Sequence, residues 1–196
     1  MDWYYYIRFP FNDREWFKKL GIGCIIFLVP IVNILALGYF VQCIKLGASG
    51  HRILPFWDDW EGLLRDGIMT IIILLAYMVI PLILTPLFLP IPFIGLFMQS
   101  VILLIVGLMI PLAIANYVIS DEWQEAFNLG KILAQLSEVI NDYVLAYLMI
   151  VLLTTISIAL IFSMPLLVLI GAIINFYCGV VFANSVGQLL ASAVCK

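Results

Sequence analysis

Charge is what this sequence has least of. Only 11% of its 196 residues are Asp, Glu, Lys or Arg, whereas hydrophobic residues reach 65% and mean hydropathy is +1.19; an average soluble domain is about 25% charged. A water-soluble monomer is excluded. Basic clusters are missing as well: nine Lys and Arg are spread along a chain of net charge -3, so a nucleic-acid partner is not expected. His51 is the one histidine, which excludes histidine-based triads, paired-histidine metal sites and His-Glu-x-x-His. Cys24, Cys43, Cys178 and Cys195 lack Cys-x-x-Cys spacing and read as small apolar packing residues. Neither a phosphate-cradling glycine loop nor an aspartate-rich head-group-transferase motif occurs. No signal peptide is apparent, since the first apolar run starts only at Leu20 with no small-residue cleavage site after it, and the N-terminus is expected to be retained.

What is there is long apolar sequence with the charges gathered between. They fall in residues 1–19, 45–66 and 121–142 and at Lys196, leaving charge-free runs at 20–44, 67–120 and 143–195. A hydrocarbon core of about 30 Å takes about 20 helical residues, so each long run suits two crossings. Their turns are expected where proline and polar residues interrupt, at Thr85-Pro86 through Pro90-Ile91-Pro92 and at Ser163-Met164-Pro165. The fold class is therefore all-α integral membrane. Four transmembrane helices at 67–84, 93–118, 143–162 and 166–191 form two hairpins, within 67–118 and 143–196 of one membrane domain spanning 1–196.

The run 20–44 admits two readings, a single span or a re-entrant pair of half-helices about Val29-Pro30-Ile31-Val32-Asn33. Because each long run returns, 45–66, 121–142 and the C-terminus share one side. A single span splits the basic residues four against five, whereas a re-entrant segment puts all nine on one side, as the positive-inside rule favours. Proline and Asn33 at depth also sit more easily in a protein-buried turn than on a lipid-facing helix.

Each charged segment places an acid before a tryptophan, at Glu15-Trp16, Asp59-Trp60 and Glu122-Trp123. Asn12 with Glu15, and Asp58 with Glu61, have capping-box spacing; Trp16, Trp60 and Trp123 read as interfacial anchors. After the interfacial segment 1–19, amphipathic interfacial helices are expected in 45–66, with Phe56, Trp60, Leu63 and Leu64 on one face, and in 119–142. In the latter Leu129, Ile132, Leu133, Leu136, Val139 and Ile140 line a face that Lys131, Gln135 and Glu138 leave. The theme occurs three times, either as a diverged internal repeat or as the belts and caps of any multi-span protein.

These residues also carry a resemblance. Phe9-Pro10-Phe11-Asn12-Asp13-Arg14-Glu15-Trp16, Leu20-Gly21-Ile22-Gly23, Ile31-Val32-Asn33-Ile34, Gly38-Tyr39, Leu54-Pro55-Phe56-Trp57-Asp58-Asp59-Trp60 and Asp66-Gly67 resemble the string of the prokaryotic membrane family known as domain of unknown function 4013, many of whose members are archaeal. Ala115-Asn116-Tyr117, Ala126-Phe127-Asn128-Leu129-Gly130, Asp142-Tyr143 and Gly187-Gln188-Leu189 are similar to it too. The resemblance implies a family without an assigned activity and transfers no catalytic residue.

In the last helix Gly171, Asn175, Gly179, Ala183, Gly187 and Ala191 recur every four residues. Such a small-residue stripe is a helix-packing face, within the chain or against a second copy. Asn116, Asn184 and Gln188 each need an interior partner or interfacial water. The acids Asp58, Asp59, Glu61 and Asp66, with Asp121, Glu122 and Glu125, read as caps and solvated interfacial groups rather than cation ligands. No catalytic residue, metal or cofactor is assigned. The expected partners are the lipid bilayer and a homo-oligomer or larger membrane complex. The expected function is a non-catalytic assembly, scaffold or lipid-organising subunit; the alternatives are a carrier or channel for a small solute or lipid and, behind it, a lipid-modifying enzyme.

The charge distribution predicts that the N-terminus, 45–66, 121–142 and Lys196 lie in the cytoplasm while 85–92 and 163–165 face out. Single cysteines at positions 3, 57, 90 and 164, in a background lacking the native four, are expected to label from outside intact cells at 90 and 164 alone. Outside labelling at 3 but not at 57 overturns the re-entrant reading.

Overall fold

The computed structural model describes residues 7–51, 53–88, 90–91 and 93–194. Outside the described residues lie the first six of the interfacial segment, Arg52 and Lys196 of the charge count, Leu89 and Pro92 of the first turn, and Cys195. Helix α1 spans Trp16–Leu28, α2 Ile34–Ala48, α3 Trp60–Phe88, α4 Ile94–Ser120, α5 Leu129–Ser163 and α6 Val168–Val194. Short 3₁₀ turns occupy Phe9–Asn12, Trp123–Phe127 and Pro165–Leu167. Among the described residues no strand occurs. Four helices, α3 to α6, are long and apolar enough to cross a membrane.

The run 20–44 breaks at Val29–Asn33. Its flanking helices of 13 and 15 residues reach about 20 and 22 Å at 1.5 Å per residue, short of a core of about 30 Å. The turn itself differs from expectation. Residues 29–33, Pro30 and Asn33 included, lie on the surface rather than inside protein, and Ile31 is 82% exposed with φ of 74°, a strained value for a β-branched residue.

Separate interfacial helices in 45–66 and 119–142 are not what the chain forms. Lys45 closes α2, Phe56 lies in a non-helical loop, Trp60–Asp66 is the opening of α3, and Leu129 to Asp142 is the opening of α5. Once nucleated at Trp60 the helix meets no missing backbone N–H until Pro81, so propagation wins over a boundary at the last charge. The turn expected at Thr85-Pro86 likewise shifts: Pro81 and Pro86 both lie inside α3, where a spanning helix tolerates lost bonds that an aqueous one would not.

Buried positions gather at one end of the bundle. Most lie in Leu63 to Tyr77 on α3, Val106 to Val118 on α4, Ile132 to Ala146 on α5, and Phe176 to Leu190 on α6, with Pro81, Gly95, Ser157, Gly171 and Ala172 buried in the opposite halves. Since successive spans alternate in direction, all four halves lie at the end bearing the charged segments. At the other end Leu82, Leu87, Phe93, Leu96, Phe162 and Leu169 are exposed.

The hairpins α3–α4 and α5–α6 meet largely through α2, whose most extensive contacts are with α6 and α3 and which also touches α4. α1 lies more against α6 than against α2. Glycines let these backbones approach. A Cβ at Gly38 would collide with the Leu63 carbonyl and one at Gly67 with that of Ile34; Gly47 meets the Asn184 carbonyl, and Gly187 the Ile44 carbonyl and Ala48 nitrogen. Lipid offers helices no hydrophobic drive to associate, so such close van der Waals packing supplies the attraction.

The rigidity of the obstacle sets the expected cost of filling these sites. Gly187→Ala, against backbone, is expected to destabilise by about 1–3 kcal/mol, read as melting temperature in one detergent. Gly179→Ala, where a Cβ meets the movable ring of Phe40, should cost less; equal losses would sink the argument.

Candidate functional site

The N-terminal segment is locked to the loop before α3 by a buried ion pair. Asp13 precedes α1 and Lys19 lies within it, with Nζ 2.7 Å from Oδ2 and side chains 7% and 4% exposed. The carboxylate also accepts from the backbone N–H of Glu15 at 2.8 Å and of Leu54 at 3.0 Å. Lys19 donates to the Leu54 carbonyl at 2.8 Å and lies 3.6 Å above the Phe56 ring. Desolvating two charges is costly, and these extra partners are what make it tolerable. Burial pushes the Asp13 carboxyl up, but the Lys19 ammonium and the two N–H donors outweigh it and hold it below 3.8. The Trp57 indole donates to the Lys19 carbonyl at 3.0 Å, and the Tyr39 hydroxyl to that of Pro55 at 3.2 Å. Tyr39 and Trp57 stack at 4.2 Å and 9°. Three stretches distant in sequence, 13–19, 39 and 54–57, thus become one unit.

Beside this unit α1 and α6 border an apolar groove of about 690 Å³. Phe11, Trp16, Phe17 and Tyr177 line its aromatic end, and Ile25, Leu28, Leu169 and Ile173 the aliphatic end; Leu20, Gly21, Cys24 and Phe176 lie along it. The aromatic end is braced by the Tyr177 hydroxyl donating to the Ile7 carbonyl and by Phe11 edge-on to Trp16 at 4.9 Å.

Several polar side chains among the helices pair with one another or with backbone carbonyls, while the Asn175 Oδ1 is buried without a partner. Asn116 on α4 and Gln135 on α5 exchange two hydrogen bonds, each 2.8 Å, and both are buried. Gln135 therefore belongs to the inward face rather than leaving it, while Leu129, Leu133 and Ile140 point out. Gln188 donates to Asn184 at 2.6 Å, and Asn184 to the Cys43 carbonyl at 3.4 Å. Ser157 donates to the Gly171 carbonyl and accepts from Asn175, each at 3.1 Å.

A family model described as a protein of unknown function, DUF4013, matches residues 22–176. The chain belongs to that family. No curated protein and no solved structure matches it. The DUF4013 match covers the loop before α3 and helices α2 to α5, and ends before Ala183, Gly187 and Ala191.

In this DUF4013 chain the small-residue stripe faces several neighbours. Gly171 and Asn175 meet α5 at Ser157, Gly179 meets Phe40, and Gly187 meets α2; Ala183 is buried and Ala191 half-buried. Trp16, Trp60 and Trp123 are exposed. The caps differ from expectation: α1 opens after Glu15 with no side-chain cap bond, and at α3 the cap lies one residue further on. Asn12 ends a 3₁₀ turn, and the Asp13 carboxylate takes the N–H of Glu15. At α3 it is Asp59, not Asp58, that accepts from the N3 N–H, on Gly62, at 2.9 Å; the helix opens at Trp60, so Glu61 stands at N2, out of capping-box register. Asn128 caps α5 by accepting from Lys131 at 3.2 Å, and the Lys131 ammonium, 2.6 Å away, lowers the Glu125 carboxyl. Among the described residues no group of three or more His, Cys, Asp or Glu is placed to hold a metal ion.

The ion pair was missed because Asp13 and Lys19 sit in a charged run that looks solvated. Asp13→Ala is expected to cost about 3–5 kcal/mol by leaving Lys19 buried and unpaired, and Asp13→Leu with Lys19→Met to recover much of it. Because the folded Asp13 pKa lies below its unfolded value, the stability it adds is present above about pH 4 and lost as pH falls through the folded pKa. The wild type should therefore lose melting temperature in acid more steeply than Asp13→Asn. At the α3 cap, Asp59→Ala should cost about 0.5–2 kcal/mol and Asp58→Ala less; the reverse ranking contradicts the cap assignment.

Proposed function

We propose that this membrane-like helical protein acts without catalysis, as an assembly or lipid-organising subunit of the cell membrane, its charged segments cytoplasmic and α1–α2 dipping in from that side as a re-entrant element. One observation carries the reading. The spanning window of α5 is 11% buried, against 44% for that of α4, and Leu145, Leu148, Leu152 and Ile156 form an exposed apolar ridge along it. These positions recur at helical spacing and so lie on one face. Such a face is satisfied by lipid chains or by another apolar helix, and a second copy or a larger complex supplies one. A carrier is the second reading, supported by α2 standing as a joint between two hairpins.

Cysteines at Leu148, Leu152 and Ile156 test it in native-membrane nanodiscs. Cross-linking along that ridge to a second copy or to one stoichiometric partner is the expected outcome. A chain that stays monomeric and moves a solute across proteoliposomes overturns the reading in favour of the carrier.

A further inference from the structure

The groove between α1 and α6 has the polarity of a phospholipid. Its aromatic end suits the depth of a membrane interface and its aliphatic end that of the acyl chains, and its volume of about 690 Å³ lies in the range of ligand sites, about 300–1,000 Å³. Gly21 adds an independent sign. It stands in mid-helix, where glycine is unfavourable by roughly 0.5–1 kcal/mol relative to alanine. Nothing lies within 4 Å of where its Cβ would be, and its φ is not positive. Gly38 and Gly187 are required by a neighbouring backbone; Gly21 faces open groove and has no such neighbour. What it does is keep the α1 wall of the groove flat.

Charge identifies the head group. Residues 7–19, which form the aromatic end, carry Arg8, Arg14, Lys18 and Lys19 against Asp13 and Glu15. Asp13 is committed to Lys19, while Lys18 shares a small hollow on the other face of α1 with Glu15 and Asp58. Arg8 has an interaction of its own, and Arg14 is exposed in the turn between Phe11 and Trp16, two side chains that line the groove. We propose that this groove binds an anionic phospholipid, its acyl chain along Gly21 and its phosphate beside Arg14. The proposal rests on the lipid-organising side of the reading above and names the lipid class.

The test uses the full chain in nanodiscs of equal phosphatidylglycerol and phosphatidylcholine, released into detergent, with retained lipid counted by native mass spectrometry. Wild type should retain phospholipid enriched in phosphatidylglycerol. Gly21→Leu, and separately Ile173→Trp, fill the groove from opposite walls and should each lower retention by about tenfold with circular dichroism unchanged. Arg14→Gln should retain lipid without head-group preference. Retention unaffected by both groove-filling changes, or no retention by wild type, overturns the site. The readout is bound lipid rather than cross-linked mass, so this site and the α5 ridge can fail independently.

Discussion

Backbone contact along α2 is the constraint on which the remaining structure depends. A helix of 15 residues cannot cross a bilayer by itself, yet it lies between two hairpins that have few direct contacts with each other. Gly38 and Gly67 bring it against α3, and Gly47 and Gly187 bring it against α6. Tyr39 follows from that position. Held at the centre, it offers its ring to Trp57 and its hydroxyl to Pro55, and so draws the loop before α3 onto the Asp13–Lys19 pair. The ion pair is thus a closure placed on a joint that glycine packing has already made.

Polar groups deepen this specificity more than they add attraction. In a low-dielectric interior an amide left unpaired is expensive, so the reciprocal Asn116–Gln135 pair sets the register of α4 against α5. Sliding either helix by one residue breaks both bonds. The same reasoning applies to Ser157, which both donates to Gly171 and accepts from Asn175, and which sits in a stretch of α5 with little other burial.

How far the sequence could be read follows from which forces act locally. Charge-free length is a one-dimensional property, and it located α3 to α6, because burial of polar backbone in lipid leaves helix as the available state. The break at Val29–Asn33 was legible for a similar reason, proline and a polar residue inside an apolar run. Position within a run was harder. Asp58 and Asp59 are chemically equivalent, and choosing the cap depends on where the first helical bond forms. Gln135 looked solvent-facing because its partner is 19 positions away on another helix. Lys19 and Asp13 are six apart and both charged, and nothing nearby in the sequence tells that Leu54 and Phe56 cover them. The stripe on α6 announced close packing, but whether its neighbour was Phe40, Ser157 or another copy is a property of the assembled bundle.

Burial concentrated at one end makes the molecule mechanically lopsided. Around Leu87, Phe93, Phe162 and Leu166 the helices have little of their own chain to lean on, so the spacing of those ends is set by whatever acyl chains fill the gaps. α5, at 35 residues or about 52 Å, exceeds any ordinary bilayer thickness and must tilt or project. Membrane thickness and lateral pressure are in that sense structural variables of this fold: thinning the bilayer spreads the unsupported ends while the glycine-packed end keeps its dimensions.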